Sequence, residues 1–332
     1  MRSRSGVVLI VVLLIVSVLA AIVFEFCYDC RMKVHLADNA RRASQALYCA
    51  EAGVAIAMAA LEQTTDLWTH DELLGILSGA VQVPLGEGYC VVSVGREQGK
   101  INVNGLVDGK GQPVRQRVDQ MLRLIDLLNE QNGDRKPISY GVVAAMIDWI
   151  DVDDEVTVLP SVRGENSGAE DAYYQDREKP YRCRNGPLEV LGELLFVKGM
   201  TREILCGSTD TEQESPAVGM ESFLTVYGGG RLNINEASIT ILRTLSERMD
   251  RSLAESIVEH RPYRSLEELN QVPGMTPEVF NAIREAAGGQ GGDQHFIVTS
   301  QGVVGKSVRV VRVVVEKNRI GGRLTRLIRW EL

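Results

Sequence analysis

Between Val7 and Phe24 the chain runs for 18 residues without a charge. At about 1.5 Å per residue this is about 27 Å of helix, close to the hydrocarbon thickness of a bilayer. Arg2 and Arg4 precede the run, and the next basic residue is Arg31. That asymmetry keeps the amino terminus cytoplasmic and sends the rest of the chain to the far side. The helical pattern then continues. Leu36, Ala40, Ala43, Leu47, Ala50, Val54, Ala57 and Leu61 step by three and four, one apolar stripe at helical period. No proline interrupts residues 1–83. The pattern predicts one helix from Val7 to about Gln63, roughly 85 Å long, half in lipid and half against a globular body. A core-facing amphipathic helix is the plainer reading of the second half, and it agrees.

Beyond residue 64 the chain has the composition of a folded protein. It is acidic, with a net charge of −8 over 332 residues, a weak starting point for binding nucleic acid or an anionic membrane. Gly88 to Gly95 is rich in β-branched residues and reads as a strand. The polar turn Arg96 to Gly99 and the segment Lys100 to Asn104 complete a hairpin signal. His295 to Val304, Ser307 to Glu316 and Leu324 to Leu332 are three further strand-like runs. The expected fold is α+β: a long helix on an antiparallel sheet built from the early hairpin and the late strands. Helical patterns fill residues 115–287, including Gln116 to Glu130, Tyr140 to Ile150 and Leu188 to Val197. The implied divisions are 1–6, 7–64, 65–114, an inserted helical domain at 115–287, and closing strands at 288–332.

The amino terminus admits three readings: a secretory signal cut within Ser17 to Ala21, an uncleaved anchor, or a processed leader. The third rests on Met1-Arg2-Ser3-Arg4-Ser5-Gly6, short, basic and ending in Gly. It resembles the leader of type IV pilin-like proteins. That resemblance implies cleavage between Gly6 and Val7 by a prepilin peptidase and methylation of the new amino terminus. Most pilin-like proteins carry Glu at the fifth mature position, which is Val11 here. The K-type minor pseudopilins share the absence, which implies a subunit at the tip with none above it.

Leu232 to Ser238 opens a helical segment with Asn235 as a candidate cap. Ser252 to His260 gives a second helix. Ser265 to Leu269, Val272-Pro273-Gly274-Met275-Thr276 and a helix to Ala286 follow. These residues resemble tandem helix-hairpin-helix modules. A weaker echo spans Leu188 to Leu205, with Lys198-Gly199-Met200-Thr201 as its turn. Many such modules bind DNA backbones. Residues 232–287 hold six arginines, no lysine and nine carboxylates, a balance of −3. Duplex binding rests on cations facing phosphates, so no nucleic acid is expected as a partner. A membrane-anchored DNA-uptake protein is the alternative reading.

Residues 148–171 hold eight carboxylates against Arg163 alone, a local charge of −7. Such density needs solvent or a cation, and Ca²⁺ takes six to eight oxygen ligands from loops of this kind. Asp148 to Glu155 followed by Gly168 to Tyr174 resembles the signature of the type II secretion K-type minor pseudopilins, general secretion pathway protein K. The resemblance extends over nearly the whole chain. It implies a single-pass inner-membrane subunit with a periplasmic body. It also implies a minor pseudopilin at the tip of the pseudopilus, joined by minor pseudopilins of types I and J and by the major pseudopilin, and serving protein export. That family includes calcium-binding members, which makes Asp151, Asp153, Glu170 and Asp171 the expected ligands and Ca²⁺ the expected cofactor. No nucleophile motif, phosphate loop or histidine cluster occurs, so no catalytic residue and no enzyme are expected. Of the six cysteines, Cys183 and Cys206 flank a predicted helix and are the candidate disulfide, although connectivity cannot be read from sequence.

Overall fold

The computed structural model describes residues 5–63, 80–133, 135, 137–160, 162–208, 217–287, 294–317 and 324–331. The chain divides into two compact units. One holds residues 1–95, 298–314 and 326–332, the other residues 96–297 and 315–325.

The first unit begins with the expected rod. Helix α1 runs Ser5–Gln63 without a break. It is long and apolar enough to cross a membrane, and its most apolar stretch is unburied by the rest of the chain. Burial starts late. Leu36 and Ala40, expected in the packed stripe, are exposed, and Ala43 and Leu47 are half-buried. The buried row is Ala46, Ala50, Gly53, Val54, Ala57 and Leu61. The opposing surface is a sheet of five strands in sequential order: β1 (Val81–Leu85), β2 (Gly88–Arg96), β3 (Gln294–Val304), β4 (Ser307–Lys317) and β5 (Leu324–Glu331).

The antiparallel hairpin is β1–β2, closed by Gly86 and Glu87 with Gly86 at φ +59°. This corrects the expected hairpin of Gly88 to Gly95 with Lys100 to Asn104. A two-residue turn containing a positive-φ glycine joins strands more tightly than the polar turn at 96–99. Pro84, which lacks an N–H, lies on the edge strand, where a missing donor is tolerated. Along β3, Val298, Ser300, Gly302 and Val304 alternate inward. A Cβ on Gly302 would lie 1.9 Å from the Ala46 carbonyl oxygen, and one on Gly53 would lie 2.2 Å from Ser300 Oγ. Helix and sheet meet there backbone to backbone.

The second unit is largely helical and has its own core. Ile101–Asn102 pairs in parallel with Leu224–Thr225, not with β2. Asn102 and Asn104 bond the backbone of Tyr227, Gly228, Leu188 and Val226, stitching distant segments together. Helix α2 (Arg115–Asn132) buries Val118, Met121, Leu122, Leu124, Ile125 and Leu128. Helix α3 (Gly141–Ile150) is buried on every side. Short helices α4 (Asp171–Gln175) and α5 (Arg202–Cys206) follow. The expected helix Leu188 to Val197 is a 3-10 turn at Leu191–Phe196. Helices α6 (Ile239–Arg243), α7 (Arg251–Glu259) and α8 (Pro277–Ala286) complete the unit, capped by Ser238, Asp250 and Thr276. Asn235 is not the cap expected of it. Its side chain instead clamps Tyr263 through both backbone groups at 2.8 Å.

Gly302→Ala places a methyl group against helix backbone that cannot rotate away. We expect a loss of about 3 kcal/mol, the upper end for overpacking, read as a lower thermal midpoint of the detergent-solubilised chain. Gly109→Ala, with open space around it, stays within about 0.5 kcal/mol of the parent.

Candidate metal centre

Helix α3 carries one charge in an otherwise apolar sequence, Gly141-Val-Val-Ala-Ala-Met-Ile-Asp148-Trp-Ile150. Asp148 is completely buried. Its Oδ1 accepts the Thr157 N–H at 2.9 Å, while Oδ2 has no partner. Asp151 ends the helix as its cap, buried, with Oδ1 unpartnered. Glu170 stands just before α4, buried, and neither carboxylate oxygen is bonded. Gly168 makes room for this grouping. A Cβ there would lie 2.1 Å from Asp148 Oδ2.

One oxygen from each of Asp148, Asp151 and Glu170 lies within 4.8 Å of the others. Among the described residues, no ion pair reaches any of the three. Burial raises the Asp148 carboxyl above its ordinary range. Asp151 rises to about 7, chiefly by burial and then by repulsion from Asp153 and Asp148. Glu170 rises to about 8 by burial, with repulsion from Asp148 and Asp151 next. Lys198 lies close by without joining the trio. Its ammonium bonds the Ser167 and Gly168 carbonyls and sits 3.6 Å from Glu165.

The trio suits a hard divalent cation. Carboxylate oxygens within 4.8 Å of one another can share one oxygen-ligated cation such as Ca²⁺. Asn185, in the left-handed region at φ +46°, donates to the Asp153 carbonyl and to Asp154. Its own buried Oδ1 is unpartnered.

Of the four expected ligands, Asp151 and Glu170 come together. Asp153 is exposed, and its carboxylate accepts the Glu155 N–H at 2.9 Å. Asp171 accepts the Cys183 N–H at 2.9 Å. Both are engaged by local backbone, and Asp148 takes the place beside Asp151 and Glu170. Cys183 and Cys206 are free thiols, against expectation. Cys183 Sγ donates to the Asp148 carbonyl at 3.5 Å, and burial pushes its thiol up to about 12. The exposed Cys206 bonds Glu221 instead. Gly6 and Val7 lie in α1, and the residues before Ser5 fall outside the described chain.

The chain thus combines a long apolar helix on a sheet with a helical domain that holds a buried carboxylate trio. Residues 99–206 match the family profile described as type II secretion system (T2SS), protein K, and residues 229–286 match a helix-hairpin-helix profile. The similarity to protein K of the type II secretion system covers residues 99–206, about a third of the chain. A curated relative is the "Putative type II secretion system protein K" of Escherichia coli (strain K12). It is 26% identical over 207 residues, 61% of this chain and 60% of that protein. Among solved structures, the GspK-GspI-GspJ complex of the enterotoxigenic Escherichia coli type 2 secretion system matches with TM-score 0.65. The identity there is 19%, over 91% of this chain and 99% of that one. That likeness bears on the fold.

A carboxyl group whose folded-state pKa is raised stabilises the fold while it holds its proton. The contribution is complete below about pH 4 and is lost as pH rises through the folded values, here about 7 and 8. In chelator, the thermal midpoint is therefore expected to fall steadily between pH 5 and 8. Glu170→Gln, which removes one of the repelling charges, flattens that slope.

Proposed function

We propose that this chain is a minor pseudopilin at the tip of the type II secretion pseudopilus, starting or capping its assembly for export of folded proteins across the outer membrane. The observation that carries this is the protein K match at residues 99–206, lying within a chain that opens with the 59-residue helix α1. The relative solved with GspI and GspJ supports minor pseudopilins of those two types as partners, with the major pseudopilin below. The positive charges before the apolar run support an inner-membrane anchor with a periplasmic body. Leader cleavage at Gly6–Val7 by prepilin peptidase, methylation of the new terminus, and a role without catalysis belong to the same reading. The DNA-uptake alternative gains nothing from the geometry: the matched helix-hairpin-helix segment, residues 229–286, carries a charge of −2.

Two measurements test it together. Intact-mass analysis should show loss of residues 1–6 in cells with prepilin peptidase and retention of Met1 in cells without it. Copurification from membranes should recover the type I and J subunits in stable proportion. Retention of Met1 in both strains, or a complex without those subunits, overturns the proposal.

Ca²⁺ as the resident ion is part of the same proposal, held by Asp148, Asp151 and Glu170. When bound it supplies positive charge that lets all three side chains stay ionised in a buried place. Asp148→Asn or Glu170→Gln is expected to weaken calcium binding at least tenfold by calorimetry. Asp153→Asn and Asp171→Asn should change it severalfold at most. Equal effects from all four would return the ligand set to the one expected from sequence.

A further inference from the structure

The helical domain contains one short structure twice, at residues 189–205 and 264–280. A 3-10 turn occupies Leu191–Phe196 and again Leu266–Gln271. Glu193 accepts the Glu189 N–H at 2.9 Å, and Glu268 accepts the Arg264 N–H at 2.9 Å. Leu194 and Leu269 are fully buried, and Gly199 and Gly274 take φ +80° and +85°. Thr201 and Thr276 cap the next helix through the N–H groups of Ile204 and Val279. With so much shared, the differences are informative. Leu195 and Phe196 stand where the second copy has Asn270 and Gln271, and all four are exposed. The solvated pair Asn-Gln satisfies this motif, so the motif itself does not call for two exposed apolar side chains, which are 44% and 55% exposed.

Phe196 does not stand alone. Its ring meets Tyr181 at 5.7 Å, Tyr181 meets Tyr174 at 5.3 Å, and Tyr174 meets Tyr173 at 5.2 Å. The Tyr181 hydroxyl donates to the Phe196 carbonyl at 2.8 Å, fixing two of the rings together. Tyr173 returns to the surface, with Arg177 at 5.6 Å and Lys198 at 5.4 Å over its ring. Next to these rings in sequence, residues 176–182 expose Arg177, Lys179 and Arg182 against Asp176 and Glu178, a balance of +1 in a chain of net charge −8. Aromatic rings with arginine beside them, held by local bonds, have the make-up of an interface anchor.

We propose that Leu195, Phe196, Tyr181 and Tyr173, rimmed by Arg177, Lys179 and Arg182, dock a segment of another polypeptide that presents an apolar or aromatic side chain flanked by carboxylates. The rings take the apolar side chain, and the cations take the acids. The test uses the detergent-solubilised full chain and fluorescence anisotropy with three labelled dodecapeptides. One has a central Phe between Asp and Glu residues, one has Lys in place of the acids, and one has Ala in place of Phe. A single-stranded oligothymidylate is the fourth probe. The acidic Phe peptide should bind at least tenfold more tightly than the other three. Leu195→Asn with Phe196→Gln, which installs the second copy's residues, should cut that binding at least tenfold without moving the thermal midpoint. Should that variant lose stability, Arg177→Glu decides the matter by weakening the acidic peptide and favouring the Lys peptide. No saturable binding by the acidic peptide, equal binding of the Lys peptide, preference for the oligonucleotide, or indifference to these substitutions overturns the proposal.

Discussion

Helix α1 cannot satisfy itself. Its first half exposes Leu, Ile, Val and Phe side chains that no described residue covers, so a surrounding apolar medium or neighbouring helices must. The second half must therefore attach the rod to a fold using a narrow stripe. It does so with small residues. Ala46, Ala50, Gly53 and Ala57 face a sheet surface that itself supplies Gly88, Ser300 and Gly302. Larger side chains would hold helix and sheet apart by the usual depth of an interdigitated layer. Here the backbones meet, and dispersion between many close atoms replaces deep burial of a few large groups.

The helical domain has a different unsatisfied element. Helix α3 is buried all round, so a charge within it has no route to water. Asp148 faces two further buried carboxylates, and four of their oxygens have no hydrogen-bond partner. Two remedies exist for such a group: protons or a cation. Protons serve below neutrality, as the raised values of Asp151 and Glu170 express. At higher pH repulsion and desolvation act in the same direction, and a bound cation would relieve both. A metal held there would be coupled to folding, since the acids converge only where α3, its following loop and the start of α4 come together.

Much of this was legible beforehand. The uncharged run and the three-four stepping gave α1 to within a few residues, because period and length are strong signals. The stripe includes Leu36 and Ala40, which are exposed, because periodicity reports a face and not where a partner begins. Strand β1 is hard to see in the sequence because it is short and contains Pro84, which a strand tolerates only by lying at the edge. Within the site, acid density pointed to the right loop but not to the right oxygens. Asp153 and Asp171 look equivalent to Asp151 and Glu170 in sequence. They differ in having nearby backbone N–H groups to accept, a property of turn geometry. Asp148 was findable by a different signal: a single charge in a helix with no polar face is either an error of assignment or a buried functional group.

The repeated helix-hairpin segment shows how one motif can be kept for its geometry while its surface is rewritten. The invariant features are those that backbone physics demands: glycine where φ is positive, threonine where a helix needs its first N–H groups satisfied, leucine and valine where the turn meets the core. Modules that grip nucleic acid add cations around that frame, and the matched segment 229–286 lacks the surplus. The frame here positions helices α5 and α8 and is indifferent to what its exposed corner carries. The corner of the second copy is polar and that of the first is aromatic and basic. Because the two frames obey the same local constraints, stability alone does not account for that contrast, and the difference falls to what each corner meets in solution.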